Sequence, residues 1–159
     1  MKIVYLIRHS APFVIIDNYD DYQNVSWDDY NRNMILSSLG EDNAKKLCDI
    51  EELNHIDVIY SSDSYRAIGT SKYLAEKNNL KIKLDNRINE RKLGCEKISD
   101  LPLDFSRNSF DNKDLKFASG ESLNEVDSRF NSFLSDILDS TDNNIVLVIH
   151  WMILMSYLK

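Results

Sequence analysis

The chain opens on a compact run of β-branched and aromatic residues, Lys2 to Ile7, whose lack of polar alternation predicts a strand buried on both faces, as in a parallel sheet. It stops abruptly at Arg8-His9. From Ala11 to Met34, Asp, Asn and Tyr dominate and apolar periodicity is lost, which predicts a long surface excursion carrying a short helix. Leu39 to Leu53 then sets Ala44, Leu47, Cys48 and Leu53 at roughly helical spacing, so a helix packing one face is expected there. Ile56 to Tyr60 reads as a second strand.

Ser61-Ser62-Asp63 is a helix-start signal, and Tyr65, Ala67, Ile68 and Tyr73-Leu74 carry that helix to about Lys77, where Asn78-Asn79 stops it. Lys81 to Leu84 alternates as a short strand. Residues 85–119 are polar, contain Pro102 and predict an insertion over the sheet's edge. Gly120-Glu121-Ser122 opens a long helix in which Leu123, Val126, Phe130, Phe133-Leu134 and Ile137-Leu138 recur every three or four residues, ending near Ser140. A last strand, Ile145 to Ile149, stops at His150, and Trp151 to Leu158 begins another helix. There is no internal repeat and no low-complexity linker.

Strands alternating with amphipathic helices predict an α/β fold, a three-layer α/β/α sandwich with a mainly parallel central sheet. At 159 residues the chain is expected to be one domain, 1–159. A chain of this size buries roughly 70% of its unfolded surface and needs no covalent staples. In such sheets ligands bind beyond the carboxyl ends of the strands. Three strands here end in chemically capable residues: Arg8-His9, Ser61-Ser62 followed by Arg66, and His150.

Charge narrows the partners. With 26 Asp and Glu against 19 Lys and Arg, a net charge of −7 disfavours association with nucleic acid or an anionic membrane by bulk charge. A local basic pocket for a small anion is compatible with it. Cys48 and Cys95 form no CxxC pair and no cluster with the histidines, so neither a zinc site nor a disulfide framework is indicated and a reduced, cytoplasmic setting is expected. Cys48 reads as core and Cys95 as a loop thiol. The N-terminal apolar run is too short for a secretory signal, and no window reaches the roughly 18 consecutive apolar residues of a spanning helix.

If the first and last strands are neighbours, His9, His150 and Arg8 share one crevice, and Arg66 adds a second guanidinium near a helix start. That is an anion site: Arg offers a planar fork of donors to phosphoryl oxygens, and the helix start a positive dipole. A neutral imidazole can also attack phosphorus, giving a covalent phosphoramidate while nearby cations stabilise the transferring group. Singly, a histidine at a strand end is more often a structural hydrogen-bonding group and a helical arginine a solvated charge. Their joint placement carries the catalytic reading.

Leu6-Ile7-Arg8-His9, Leu39-Gly40 with Ala44 and Leu47, Ser61-Ser62 followed by Arg66-Ala67 and Thr70, Arg87-Ile88-Asn89-Glu90-Arg91 with Gly94, Gly120-Glu121-Ser122, and Val148-Ile149-His150 occur in that order. Together they resemble the histidine phosphatase superfamily, also called phosphoglycerate mutase-like, almost end to end. The resemblance implies that His9 is the phosphorylated nucleophile, that Arg8, Arg66 and His150 form the phosphate pocket, and that Glu90 is the proton donor. It implies no metal and no cofactor. The second ring nitrogen of His9 is expected to donate to a carbonyl or carboxylate that fixes the tautomer.

Other residues carry two readings each. Glu96 and Glu121 rival Glu90 as the acid, and Glu121 is equally a first-turn helix carboxylate beside a capping Ser119 or Ser122. Ser10 and Ser122 are candidate phosphate contacts. Arg91 and Lys92 either bind a second acidic group of the substrate or form a surface basic pair. Tyr19, Tyr22, Trp27 and Tyr30 either line a substrate pocket or pack the excursion onto the domain.

The chain departs from the family in carrying Ser10 and Trp151 where glycine commonly follows each histidine. Ser10 still permits close approach to phosphate. The Trp151 indole either narrows the site, shifts His150 or faces away. Members usually continue well past the second histidine, so the ending at Lys159 reads either as a natural end or as a shortened C-terminus. The expected function is a metal-independent phosphomonoesterase acting through phospho-His9, with water as acceptor and a small phosphorylated metabolite as substrate. The insertion carrying Glu90 favours such a substrate over a phosphoprotein. The alternatives are a catalytically impaired phospho-ligand binding or regulatory protein, or a phosphoglycerate mutase-type phosphotransferase. Oligomeric state is left open, a dimer included.

Overall fold

The computed structural model describes residues 1–14 and 25–158. Its strands are β1 (Ile3–Arg8), β2 (Val58–Ser61), β3 (Ile82–Leu84) and β4 (Asn144–Ile149). They form one sheet in the order β1-β4-β2-β3, and every pairing is parallel. The helices among the described residues are α1 (Trp27–Asn33), α2 (Ser38–Lys46), α3 (Tyr65–Lys77), α4 (Phe105–Asp111), α5 (Leu123–Asp139) and α6 (Trp151–Tyr157).

The apolar run Ile145–Ile149 makes β4 a central strand, each of its residues fully buried. Successive side chains of a strand point to opposite faces, so this run feeds two layers. Ile145, Leu147 and Ile149 pack with Val126, Phe130, Phe133 and Ile137 of α5 and with Ile153 of α6. Val146 and Val148 pack on the opposite face with Ala67, Leu74 and Ala75 of α3. The result is the expected α/β/α sandwich.

Local chemistry sets the helix starts. Ser122 Oγ accepts from the Glu125 amide at 3.1 Å while the Glu125 carboxylate accepts from the Ser122 amide at 2.8 Å, a reciprocal cap on α5. Ser37 Oγ accepts from the Gly40 amide to cap α2. A Cβ on Gly40 would stand 2.1 Å from the Ala11 carbonyl oxygen, so glycine is what lets α2 lie against the chain leaving β1.

Several boundaries differ from the sequence expectation. The helix expected over 39–53 ends at Lys46, and two single 3-10 turns, Leu47–Asp49 and Glu51–Leu53, deliver Leu53 to the core. Asp49, Glu51 and Glu52 oppose further α-helix here, because acidic side chains are unfavourable at the negative end of the helix dipole. Helix α3 begins at Tyr65, with Ser64 rather than Ser61-Ser62-Asp63 at the cap position, because Ser61 still belongs to β2 and the Ser62 hydroxyl is engaged elsewhere. Cys95 lies in a loop as expected but is buried there, and Cys48, expected in the core, is only half-buried.

The insertion over 85–119 is anchored in the core. Ile88, in its first 3-10 turn, is fully buried in the layer shared with α5. Gly94 has φ +71°, and a Cβ there would stand 2.1 Å from the Gly120 amide nitrogen, so the insertion closes on itself at a contact that only glycine permits.

Candidate active site

Parallel pairing of β1 with β4 opposes Arg8 to Ile149, and the next residues out are the two histidines. The His9 amide continues the ladder by donating to the Ile149 carbonyl at 3.0 Å. The imidazoles therefore lie side by side, with centroids 5.0 Å apart and planes tilted by 53°. On the other flank of β4, the Ser62 amide donates to the Val148 carbonyl at 3.1 Å and so sets Ser62 beside His150.

The Arg66 guanidinium, from the first turn of α3, bridges the rings. Its Nε donates to His9 Nε2 at 3.1 Å and its Nη2 to His150 Nδ1 at 3.1 Å. Because Arg only donates, both contacted nitrogens are acceptors and both tautomers are fixed. His9 carries its proton on Nδ1, which donates to the Ser10 carbonyl at 2.8 Å. His150 carries its proton on Nε2, which donates to Ser62 Oγ at 2.8 Å. Ser62 Oγ passes its own proton toward Asn89 Oδ1 at 2.9 Å, and Asn89 Oδ1 also accepts from the Asp63 amide at 3.0 Å.

Electrostatics keep the imidazoles neutral. Burial, then Arg66 and Arg8, hold the His9 pKa down to about 4 against the opposing bond to Ser10. Burial and the same cations hold His150 well below the ordinary range. Burial also lowers Arg66 to about 10, which leaves it charged at neutral pH. The site thus presents a neutral Nε2 on His9 next to a permanent cation.

Glu90 closes the arrangement from the insertion. Its Oε1 accepts from the Arg91 amide at 2.9 Å and from the Met152 amide at 3.2 Å. Burial pushes the Glu90 carboxyl up, outweighing those two amides, Arg66 and Arg129. Glu90 shares a cleft of about 250 Å³ with Ser62, Ser64, Arg66 and His150. The polar side of α1 walls the same cleft with Asp28, Asp29 and Arg32. That helix is fastened there: Asp28 accepts from the Leu93 and Gly94 amides at 2.8 and 2.9 Å, Arg32 forks onto Asp63, and the Asn31 carbonyl accepts from Arg66.

Arg66 thus joins His9 to His150, and Arg66 and His150 share the cleft with Glu90, while His9 is not among the residues lining that cleft. Arg8 is exposed, and its guanidinium lies 5.4 Å from the Trp151 ring centroid. Trp151 therefore packs on Arg8 at the surface, and His150 keeps all its bonds. Ser10 contributes its backbone, the carbonyl to His9 and the amide to Thr70 Oγ1 at 2.9 Å. Ser122 is committed to the α5 cap. Arg91 is buried, donates to the Glu121 and Leu115 carbonyls at 2.8 and 3.0 Å and stacks on Phe105, which fixes the insertion. Lys92 reaches the cleft wall.

Of the rival acids, Glu96 is exposed and Glu121 is paired with Arg129 at 2.8 Å. Trp27 and Tyr30 pack ring against ring on α1, with centroids 5.7 Å apart, while Tyr19 and Tyr22 lie outside the described residues. Asn89, Asp28 and Arg129 escaped sequence reasoning. The only signal for Arg129 was a charge placed between the core positions Val126, Phe130 and Phe133. Among the described residues no group of His, Cys, Asp or Glu is placed to hold a metal ion, and no helix is long and apolar enough to cross a membrane.

Two imidazoles bridged by an arginine beyond the carboxyl ends of a parallel sheet, with Glu90 on the adjoining cleft, form a candidate site of the histidine phosphatase type. The sequence profile of the histidine phosphatase superfamily (branch 1) matches residues 4–159, and the chain belongs to that family. It is 33% identical over 121 residues to phosphoserine phosphatase 1 of Hydrogenobacter thermophilus (strain DSM 6534 / IAM 12695 / TK-6), a match covering 72% of this chain and 57% of the relative. The chain thus spans little more than half the length of that relative. Its fold is that of a mycobacterial glucosyl-3-phosphoglycerate phosphatase solved with inorganic phosphate, with TM-score 0.74 and 21% identity over 95% of this chain and 74% of the other. It is also that of a phosphoserine phosphatase mutant from Entamoeba histolytica solved with phosphoserine, with TM-score 0.72 and 17% identity over 99% of this chain and 78% of the other.

Proposed function

We propose that the protein hydrolyses a small phosphomonoester through a covalent intermediate on His9, with Glu90 as acid and then base. The observation that carries this is the fixed tautomer of His9: Nδ1–H is held by the Ser10 carbonyl, so the lone pair of Nε2 faces the cation that phosphoryl oxygens would meet. In the first step that lone pair forms the N–P bond, the ester P–O bond breaks, and the leaving oxygen takes the Glu90 proton. In the second, water attacks phosphorus and gives a proton to Glu90, the N–P bond breaks, and inorganic phosphate leaves. Arg66 donates to the equatorial oxygens, and His150 holds the Arg66 guanidinium in place through Nδ1.

Among small phosphomonoesters a phosphorylated amino acid suits the outer cleft. Asp28, Asp29 and Lys92, which all line it, supply both signs of charge for an ammonium and a carboxylate. Two relatives named phosphoserine phosphatases support the same substrate class. The test is a phosphomonoester panel including phosphoserine, phosphoglycerate and an aryl phosphate, scored by phosphate release. Phosphoserine is expected to give the highest kcat/KM. Release from no member, with phosphate binding retained, favours the binding-protein alternative, and transfer to a second hydroxyl without free phosphate favours the mutase.

A further inference from the structure

Glu90 lies in residues 89–95, a stretch that is neither helix nor strand, although an acid must be placed within a fraction of an ångström of the oxygen it protonates. Its carboxyl meets two amides, and its backbone is gripped from α5 by a single side chain. Arg129 Nη1 donates to the Arg87 carbonyl at 2.6 Å and Nη2 to the Glu90 carbonyl at 3.4 Å. Its Nε and Nη2 form a two-point pair with Glu121 at 2.8 and 3.0 Å. The Glu121 carboxylate in turn accepts from the Lys92 amide at 2.9 Å. One half-buried ion pair therefore fixes the chain at 87, 90 and 92, on both sides of the acid.

Neither member of the pair is among the residues lining the cleft, and their hydrogen bonds go to one another and to the 87–92 backbone, although the Arg129 charge is among those that lower His150. Nor does α5 need the pair to dock, since Val126, Phe130, Phe133 and Ile137 already bury its apolar face. We infer that Arg129, locked by Glu121, is a positioning residue for Glu90: it holds the 87–92 backbone so that the carboxyl meets the leaving-group oxygen. This rests on the assignment of Glu90 as the acid.

The test separates protonation from every other step by the leaving group. A nitrophenolate departs with little help from an acid, whereas an alkoxide, as from phosphoserine or glycerol phosphate, needs its proton. kcat/KM, which reports the step through departure of the leaving group, is measured on both esters for wild type, Glu90→Gln, Arg129→Met, Glu121→Gln and the double variant Glu90→Gln/Arg129→Met. Arg129→Met is expected to lose about 10- to 100-fold on the alkyl ester and less than about threefold on the nitrophenyl ester, a part of the general-acid contribution. Glu90→Gln gives the same split, only larger, and the double variant is no slower than Glu90→Gln, as expected when one residue acts through the other.

Glu121→Gln, which keeps Arg129 and the shape of its partner, shows the split in weaker form and decides the matter where Arg129→Met lowers the folded fraction seen by circular dichroism. Equal losses on the two esters in both clamp variants, or a double variant slower than Glu90→Gln by the full single-variant factor, overturn the inference. A Glu90→Gln protein with no leaving-group dependence overturns instead the acid assignment, and the clamp's role falls with it.

Discussion

Arg66 Nε stands 3.1 Å from His9 Nε2, the nitrogen that the tautomer leaves unprotonated. A cation beside a lone pair depresses imidazole basicity while placing guanidinium donors where a phosphoryl group must arrive. The same guanidinium reaches His150 Nδ1 at 3.1 Å, so one side chain sets the protonation of both rings.

Arg66→Met is accordingly expected to lower kcat/KM for a phosphomonoester by about 100- to 1000-fold, the usual cost of a lost oxyanion donor. Arg66→Lys recovers little, because a point ammonium does not span two imidazoles as a planar fork does. Steady-state kinetics on both variants check this, and recovery of most activity by Lys contradicts it.

The depressed His9 pKa fixes a pH dependence of stability. In the unfolded chain His9 titrates near 6.5, and in the folded protein near 4, so between those values the unfolded state binds more protons. The contribution is present above about pH 6.5 and is lost as pH falls toward 4, amounting to about 2–3 kcal/mol for His9 after allowing for partial exposure. Buried His150 acts in the same direction, and the raised Glu90 works oppositely at higher pH. Urea denaturation from pH 7 to 4.5 is expected to show a shallower decline for His9→Asn than for wild type. Equal slopes contradict the shift.

Ser62 Oγ joins His150 to Asn89, and the residue is fully buried. Ser62→Ala leaves the His150 Nε2–H only Ser64 Oγ, at 3.2 Å, and removes the acceptor of the Ser64 amide, which donates to Ser62 Oγ at 3.2 Å, costing about 1–3 kcal/mol of stability. Denaturant midpoints measure the loss, and an unchanged midpoint denies the network its role.

Trp151 packs against the Arg8 guanidinium, and an exposed cation–π contact contributes about 0.5–1 kcal/mol. If Arg8 grips phosphate only after leaving the ring, Trp151→Ala tightens inorganic phosphate binding about two- to fivefold, the same energy expressed as affinity. Calorimetric titration decides, and weaker binding in the variant shows that Arg8 works from the stacked position.

Much of this site was legible because parallel strands deliver their C-terminal neighbours to one edge of the sheet. Leu6-Ile7 running into Arg8-His9, and Val148-Ile149 running into His150, needed only the adjacency of β1 and β4 to become a pair. Glu90 was legible through resemblance alone, since a carboxylate among Asn89, Arg91 and Lys92 has no local mark of burial. Asn89 and Arg129 act across 27 and 39 residues of sequence, and contacts so distant leave no periodic trace. The end of α2 and the exposed position of Arg8 depended on dipole and stacking terms too small to read from the chain.

The central claim is that His9 carries the phosphoryl group. Rapid acid or alkaline quench of the protein turning over a radiolabelled phosphomonoester, with peptide mapping, tests it most directly, because a phosphoramidate is acid-labile and base-stable whereas a serine ester is the reverse. Alkali-stable label on the peptide bearing His9, absent in His9→Ala together with phosphate release, is the expected result. Phosphate release by His9→Ala at the wild-type rate, or label mapped elsewhere, contradicts the account.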